Sequence, residues 1–396
     1  MRPNVKKYLV FIFLFSFELN AANMCSDFFM PSTQYLFGLE FTFTNQKIVD
    51  EGNRNPKDAG LENNPLKASH WENWLEIVKE KCKVTSDCVT FMSEDKHGAA
   101  LAVRFKDNFQ FTIGIDSAAL EVNATPKIRS EFEVVKKHMQ DYVFTTALQA
   151  GLKPHERAGQ GHIHISTKAF EKKGIDLRNF FVDFQNRPEI IYGALGNHLL
   201  NSPPLAAQSE IQREQLENVL QNLDQRTDNY SAREFARLIN SQVYTDSVAK
   251  DWGSPSYYQA FNMTRVQFSA DKATIEIRSF RPQPSPEIFE LQTILLERWI
   301  EKLKQVEKPI PYLNKSKYEY SPDEIVDGFH QLIMDLDLPW KTFKVLLPEK
   351  YQNLSPTDKF QSVNYSIHDM TSVSVEVKPN LNFFRKAQAL LNLWLN

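Results

Sequence analysis

Alternating polar and apolar residues mark several short segments of the chain as half-buried β-strands. Successive side chains of a strand point to opposite faces of its sheet, so each segment has one apolar and one polar face. The clearest segments are residues 35–44, 88–92, 99–115, 120–126 and 161–167. Residues 264–280 read as a hairpin with Asp271 and Lys272 in its turn. These patterns predict an antiparallel sheet.

Apolar residues recur at helical spacing between and after these strands. The predicted helices are residues 66–83, 129–150, 175–185, 208–224, 231–242, 286–306, 322–336 and 381–394. The helix at 286–306 has the clearest start, because Ser285 can cap it and Pro286 then takes its first position. One short strand, "SVSVEV", is predicted in the last ninety residues. The pattern is typical of an α+β protein with helices packed on one side of the sheet.

The N-terminus has the composition of an export signal. Arg2, Lys6 and Lys7 precede the apolar run "VFIFLFSF", and the small residues Ala21 and Ala22 follow it. A basic, then apolar, then small-residue pattern is typical of a signal peptide, and the run is short for a transmembrane helix. We expect residues 1–22 to direct export to the periplasm or the medium, without stable membrane insertion after cleavage. An uncleaved N-terminal membrane anchor is the alternative.

Charge and cysteine content narrow the classes of function. The formal net charge is −3, and cleavage after Ala22 would make it more negative. A mildly acidic chain without a basic stripe argues against nucleic acid as the main partner. The three cysteines Cys25, Cys82 and Cys88 lack the spacing of a zinc knuckle. In an oxidising compartment Cys82 and Cys88 could form a disulfide, which would leave Cys25 over.

Four strands carry chemically capable residues on their polar face. In "GLEFTF", Glu40 and Thr42 lie on one face of the strand, and Phe41 and Phe43 lie on the other. The segments "LEVNA", "GHIHIS" and "TIEIRS" repeat this arrangement. One such strand is an ordinary solvated sheet face, whereas four favour a shared polar cavity. The residues that would line this cavity are Glu40, Glu121, His162, His164, Glu276 and Arg278.

The composition of that cavity indicates a metal and an anion. Carboxylates at such density repel one another and need cations. Oxygen ligands suit Mg²⁺ or Mn²⁺, and an added histidine favours Mn²⁺ or tolerates Mg²⁺. The arginine beside them suits a phosphate or a carboxylate.

In this order, "GLEFTF", "LEVNATP", "GQGHIHIS" and "IEIRSFRPQPSP" resemble motifs of the carboxylate–amine ligase superfamily, which includes glutamine synthetase, gamma-glutamylcysteine ligase and the amidoligases. The similar motifs are a G-x-E-x-E strand, an E-x-x-T-P strand end, a G-x-H-x-H strand and an E-x-R strand. The resemblance spans about residues 35 to 300, and "YYQAFN" at 257–262 also looks like the family's approach to its last strand. It implies a glutamine-synthetase-like fold, in which an antiparallel sheet curves into a half-barrel with helices on its convex side.

The resemblance also implies roles for single residues. Glu40, His162 and Glu276 match three ligands of one metal, and Glu121 matches a ligand of a neighbouring metal. His164 and Arg278 match catalytic groups that contact the acyl substrate or the transferred phosphoryl group, and Asn262 at the end of "YYQAFN" is a further candidate.

One position departs from the family pattern. The second glutamate of G-x-E-x-E is Thr42 here, which is neutral and a poor metal ligand. Asp116, five residues before Glu121, is the candidate to compensate for it. Otherwise the second metal site is weakened.

These observations lead to three hypotheses. The first is an ATP- and Mg²⁺-dependent (or Mn²⁺-dependent) amidoligase that joins an amino-acid or peptide carboxylate to an amine through an acyl phosphate. The second is an exported hydrolase that keeps one metal and cleaves an amide or ester. The third is a non-catalytic binder of small carboxylates or cell-wall peptides. In all three the expected organisation is a signal peptide (1–22), a catalytic-type domain (23–306) and a mostly helical extension packed on it (307–396).

Overall fold

The structure is a computed structural model of the chain. It describes residues 35–54, 65–95, 98–116, 119–154, 161–170, 173–196, 202–226, 229–244, 259–267 and 273–370. The predicted signal peptide, Cys25, the predicted turn at Asp271 and Lys272, the "SVSVEV" segment and the helix predicted at 381–394 lie outside these residues.

The described strands form one open antiparallel sheet. Its strands are β1 (Leu36–Phe43), β2 (Cys88–Asp95), β3 (Gly98–Phe105), β4 (Gln110–Ile115), β5 (Leu120–Ala124), β6 (Lys127–Ile128), β7 (Gly161–Ser166), β8 (Phe261–Asn262) and β9 (Thr274–Phe280). They follow the order β2-β3-β4-β5-β1-β7-β9-β8, and the short β6 pairs with β1. The strand β1, the first in the described part of the chain, therefore lies inside the sheet, between β5 and β7.

Helices make up most of the rest of the described chain. They are α1 (Gln46–Arg54), α2 (Pro65–Thr85), α3 (Phe132–Met139), α4 (Thr145–Gln149), α5 (Gly174–Gln185), α6 (Glu210–Asp224), α7 (Ala232–Leu238), α8 (Pro286–Leu303), α9 (Pro322–Asp335), α10 (Trp340–Phe343), α11 (Glu349–Gln352) and α12 (Ile367–Met370). A π-helical turn, Gln140–Phe144, joins α3 to α4, so the long helix predicted at 129–150 is present with this irregularity. None of the helices in the described ranges is both long and apolar enough to cross a membrane.

The apolar face of the sheet packs against helices through aromatic rings. The ring centroid of Phe41 on β1 lies 5.3 Å from that of Phe144 and 5.4 Å from that of Phe289 on α8. The ring of Phe43 lies 5.2 Å from Trp74 on α2. Such tilted and edge-on contacts stabilise a core beyond the area they bury. The predicted α+β class, a mixture of helices with an antiparallel sheet, is confirmed, and the sheet is not closed.

The predicted hairpin at 264–280 is wrong in its first half. Thr264–Gln267 forms a 3₁₀ turn, and β9 pairs with β7 on one side and with the two-residue strand β8 on the other. Asn262 accounts for the difference, because its Oδ1 accepts the backbone N–H of Thr264 at 2.8 Å. An asparagine bonded to the backbone two residues later favours a turn over a continuing strand.

A disulfide joins Cys82 at the end of α2 to Cys88 at the start of β2, with their Cα atoms 5.1 Å apart. It ties the outermost strand at one end of the sheet to a helix of the apolar face. This is the pairing that the sequence suggested for an oxidising compartment.

Buried polar contacts attach residues 310–370 to α5 and the segment after it. Arg187 donates to Asp183 at 3.1 Å and to Asp335 on α9 at 2.9 Å. Tyr365 donates to the same Asp183 at 2.7 Å. These side chains are paired charges and hydrogen-bonded groups, as buried polar residues require.

The carboxylate of Asp327 on α9 holds the loop formed by residues 357–360. It accepts backbone N–H groups of Thr357 at 2.6 Å and of Asp358, Lys359 and Phe360 at 3.1 Å, as well as the Thr357 hydroxyl at 2.6 Å. Burial would raise the pKa of Asp327, but these hydrogen bonds outweigh it and lower the pKa below its usual range.

We expect Asp327→Asn to lower the free energy of unfolding at neutral pH by about 1–3 kcal/mol, because the amide nitrogen cannot accept the loop's N–H groups. Since the folded pKa lies below the unfolded value of about 4, the ionised carboxylate stabilises the protein above that pH. This stabilisation is lost as the pH falls through the folded pKa. The difference between wild type and variant, measured by chemical denaturation, should therefore shrink below about pH 4.

Asp358→Asn is the matched control, since it changes the same loop at a side chain that is 78% exposed. We expect it to alter stability little at any pH. A difference for Asp327→Asn that stayed constant from neutral to acidic pH would contradict the role of the charge.

Candidate metal centre

The strand register brings the polar faces of β1, β7, β8 and β9 together. Glu40 lies opposite His162 across β1 and β7, and His164 lies opposite Glu276 across β7 and β9. Asn262 on β8 also lies opposite Glu276. Residues opposite each other in an antiparallel pair have neighbouring side chains on one face. Separate segments of sequence thus form one cluster.

A β-bulge in β9 lies opposite His162. Two residues, Arg278 and Ser279, face one residue of β7 at this point. A bulge of this kind bends the strand and re-aims the side chains around it. Arg278 stays on the polar face with Glu276, whereas Phe280, which unbroken alternation would place on that face too, is buried in the core.

Short polar contacts connect the side chains of the cluster. His162 Nδ1 lies 2.6 Å from Glu40 Oε1 and 3.2 Å from Glu276 Oε1. His164 Nε2 lies 3.1 Å from Glu40 Oε2. Arg278 Nη1 donates to Glu276 Oε1 at 2.5 Å. Both carboxylates, His162 and Arg278 are buried, and His164 is nearly so.

Both carboxylates are ionised despite their burial. Burial alone would raise the pKa of Glu40, but the charges and hydrogen bonds of His162 and His164 outweigh it and hold the pKa well below its usual range. Burial acts on Glu276 in the same direction, and the Arg278 guanidinium, followed by the two histidines, overrides it and lowers the pKa to about 2. The negative charge of this face therefore persists at neutral pH.

The donor set of the cluster fits a divalent cation. One ligand atom from each of Glu40, His164 and Glu276 lies within 4.8 Å of the others, and this is the group of metal-ligand type found among the described residues. The buried Nδ1 of His164 has no hydrogen-bond partner there. Two carboxylates and an imidazole suit Mn²⁺ or Mg²⁺. Because His162 Nδ1 approaches both carboxylates, either histidine can complete the set.

The cluster joins most, but not all, of the residues singled out from the sequence. Glu40, His162, His164, Glu276 and Arg278 are in mutual contact as described above. Their roles as metal ligands or catalytic groups stay predictions.

The residues proposed for a second metal lie along β4 and β5. Glu121 is buried opposite Thr42 on β1, and Asn123 donates a hydrogen bond to its carboxylate. Asp116 follows β4, where its backbone carbonyl accepts from the buried ammonium of Lys67 at 3.0 Å. Burial lowers the pKa of Lys67, and the charge of Asp116 opposes this. Asp116 thus balances a buried lysine, which makes it a weak replacement for the glutamate missing at Thr42.

Two supporting residues of the cluster carried little or no sequence signal. Asn262 Nδ2 donates to Glu276 Oε2 at 2.7 Å, and the bond from Thr264 fixes the asparagine itself. The buried Ser202 donates to the backbone carbonyl of Arg278, inside the bulge, at 3.0 Å. "YYQAFN" pointed to Asn262 by resemblance alone, and no pattern pointed to Ser202, which precedes Arg278 by 76 residues.

Comparison of the chain with protein-family models finds no match, and no curated protein matches it by sequence. The resemblance to carboxylate–amine ligases therefore depends on the four short motifs and on the cluster that their residues form.

We expect alanine at either histidine to weaken Mn²⁺ binding, with the larger loss for His162→Ala. The reason is geometric, since His162 Nδ1 lies near both carboxylates whereas the contact of His164 Nε2 is with Glu40. Calorimetric titration of Mn²⁺ into the two variants measures this. We expect a loss of at least 100-fold for a ligand and about 10- to 100-fold for a residue that orients one. Wild-type affinity in both variants would exclude a metal at this site.

Asn262→Ala should weaken Mn²⁺ binding by about 10- to 100-fold, because it removes the hydrogen bond that orients Glu276. Ser241→Ala is a suitable control, since Ser241 is exposed and its hydroxyl donates to the nearby backbone carbonyl of Leu238. Equal Mn²⁺ affinity of Asn262→Ala and the wild type would show that Glu276 is held without the amide.

Proposed function

We propose that the protein is an ATP- and Mg²⁺-dependent carboxylate–amine ligase, with Mn²⁺ as the alternative cation. The observation that carries this proposal is the convergence of Glu40, His162, His164, Glu276 and Arg278 on one buried face of an antiparallel sheet. We further propose that the sheet is the half-barrel of a glutamine-synthetase-like fold, with helices on its convex side. The open antiparallel sheet and the helices packed on its apolar face support this.

Each side chain of the cluster has a task in such a reaction. Glu40, Glu276 and a histidine would hold the cation, which when bound offsets the charge of the transferred phosphate. Arg278 offers a planar donor group that suits a carboxylate or a phosphoryl oxygen. Burial of the cluster excludes water, which strengthens these electrostatic contacts and protects an acyl phosphate from hydrolysis.

The chemistry proceeds in two displacements. An oxygen of the substrate carboxylate attacks the γ-phosphorus of ATP, ADP leaves, and an acyl phosphate forms. The amine then attacks the acyl carbon, phosphate leaves, and an amide remains. The substrates are an amino-acid or peptide carboxylate and an amine. Thr42 lies opposite Glu121, at the position where the family pattern has a second glutamate, so the second cation site lacks one carboxylate. We therefore propose that the protein binds one cation tightly.

The export signal in residues 1–22 bears on the choice of co-substrate, because ATP is scarce outside the cytoplasm. This favours, as a second candidate, a metal-dependent amide or ester hydrolase that uses the same cluster without a nucleotide. The domain division at residues 22 and 306 is part of the proposal in either case.

We expect the purified protein to bind ATP by calorimetry in the presence of Mg²⁺ and to bind it at least tenfold more weakly in EDTA. Since Glu276 is one of the proposed ligands, Glu276→Gln should abolish the Mg²⁺-dependent part of the affinity. Glu319→Gln, which makes the same change at an exposed glutamate, should not.

Mg²⁺ binding without any ATP binding would reject the ligase in favour of the hydrolase. Failure to bind either Mg²⁺ or Mn²⁺ would reject both, and would leave a binder of small carboxylates or cell-wall peptides.

A further inference from the structure

Arg278 and a bound cation would compete for the same carboxylate. Glu276 Oε1 accepts the Arg278 guanidinium at 2.5 Å and lies 3.2 Å from His162 Nδ1. Its other oxygen, Oε2, accepts Asn262 at 2.7 Å. Both oxygens therefore accept hydrogen bonds, and a cation bound by Glu276 would compete with Arg278 for the negative charge of the carboxylate.

A bound divalent cation leaves the cluster with an excess of positive charge. A histidine that ligates a metal is neutral, so Glu40, Glu276, Arg278 and a divalent cation together carry one net positive charge. The guanidinium is buried, with 7% of its side chain exposed, and water cannot screen it from the cation as at the surface. Repulsion between cation and guanidinium must therefore be offset by an anion.

We propose that the site is a metal-gated anion receptor. Without the cation, Glu276 neutralises Arg278 and occupies its Nη1 donor. When the cation is bound, it neutralises part of the negative charge of Glu276, and Arg278 then binds one carboxylate or phosphoryl group. This inference rests on the metal-dependent function proposed above and adds to it an order of binding, cation first and anion second.

Thermodynamic linkage makes the proposal quantitative. If Mg²⁺ raises the affinity for an anion by some factor, the anion must raise the affinity for Mg²⁺ by the same factor. Couplings between sites are typically about 5- to 150-fold. Because the cation and Arg278 would share Glu276, we expect Mg²⁺ to raise the affinity for the anion by at least about fivefold, and the anion to raise the affinity for Mg²⁺ by the same factor.

Arg278 variants isolate the gate. Arg278→Gln removes the positive charge, so the coupling should fall below twofold, while Mg²⁺ affinity without anion stays equal or rises. Arg278→Lys keeps the charge but loses the forked geometry, and should retain a smaller coupling. Arg104→Gln is the matched control, because Arg104 lies exposed on β3, opposite Gln110, and away from the β7–β9 cluster.

The experiment consists of two calorimetric titrations of the full-length protein. In the first, inorganic phosphate is titrated in the absence and in the presence of saturating Mg²⁺. In the second, Mg²⁺ is titrated in the absence and in the presence of phosphate. The expected result is phosphate binding that depends on Mg²⁺, equal coupling factors in the two titrations, and loss of coupling in Arg278→Gln but not in Arg104→Gln. Phosphate binding that is equally tight without Mg²⁺, or full coupling in a folded Arg278→Gln, would overturn the gate while leaving the proposed function intact. Absence of Mg²⁺ binding in the wild type would overturn both.

Discussion

The burial of two ionised carboxylates on one face of a sheet is the constraint on which the rest of the site depends. Moving a charge out of water is costly unless partners replace the lost hydration. Glu40 meets this requirement through two histidines, and Glu276 through Arg278 and Asn262. A structural salt bridge needs only one cation for each anion. Here the carboxylates also lie close enough to bind the same metal ion, an arrangement that stability alone does not require.

The opposite face of the same strands supplies the rigidity. Phe41 and Phe43 alternate with Glu40 and Thr42 along β1. Their rings pack on helices α2 and α8 and on the π-helical turn Gln140–Phe144. A shift of one residue in the register of β1 would turn the phenylalanines towards the site and the glutamate towards the core. The aromatic core therefore fixes the direction in which Glu40 points. The packing of one face and the chemistry of the other are consequences of one alternating pattern.

Local patterns in the sequence were sufficient to predict most of the longer described elements and the polar face that several strands share. The alternation in "GLEFTF", "GHIHIS" and "TIEIRS" is a property of neighbouring residues, and the structure keeps it. Features that depend on contacts between distant segments were not predictable in this way. The bulge at Arg278 depends on pairing with β7 and on Ser202, and the pairing of β9 with β8 rather than with residues 264–267 depends on the side chain of Asn262. Nothing local to β9 signals either feature.

A site of this kind constrains few positions of the sequence, for a physical reason. The chemistry needs about five polar side chains at alternate positions of three or four strands, and these fix few letters of the sequence. The intervening positions need only be apolar and of suitable volume, and cores tolerate wide substitution on those terms. The surrounding helices can change further, provided that they cover the aromatic face. A sheet can therefore keep its polar cluster while most of its sequence diverges, and spatial convergence of the cluster is a more direct criterion of such a site than overall similarity.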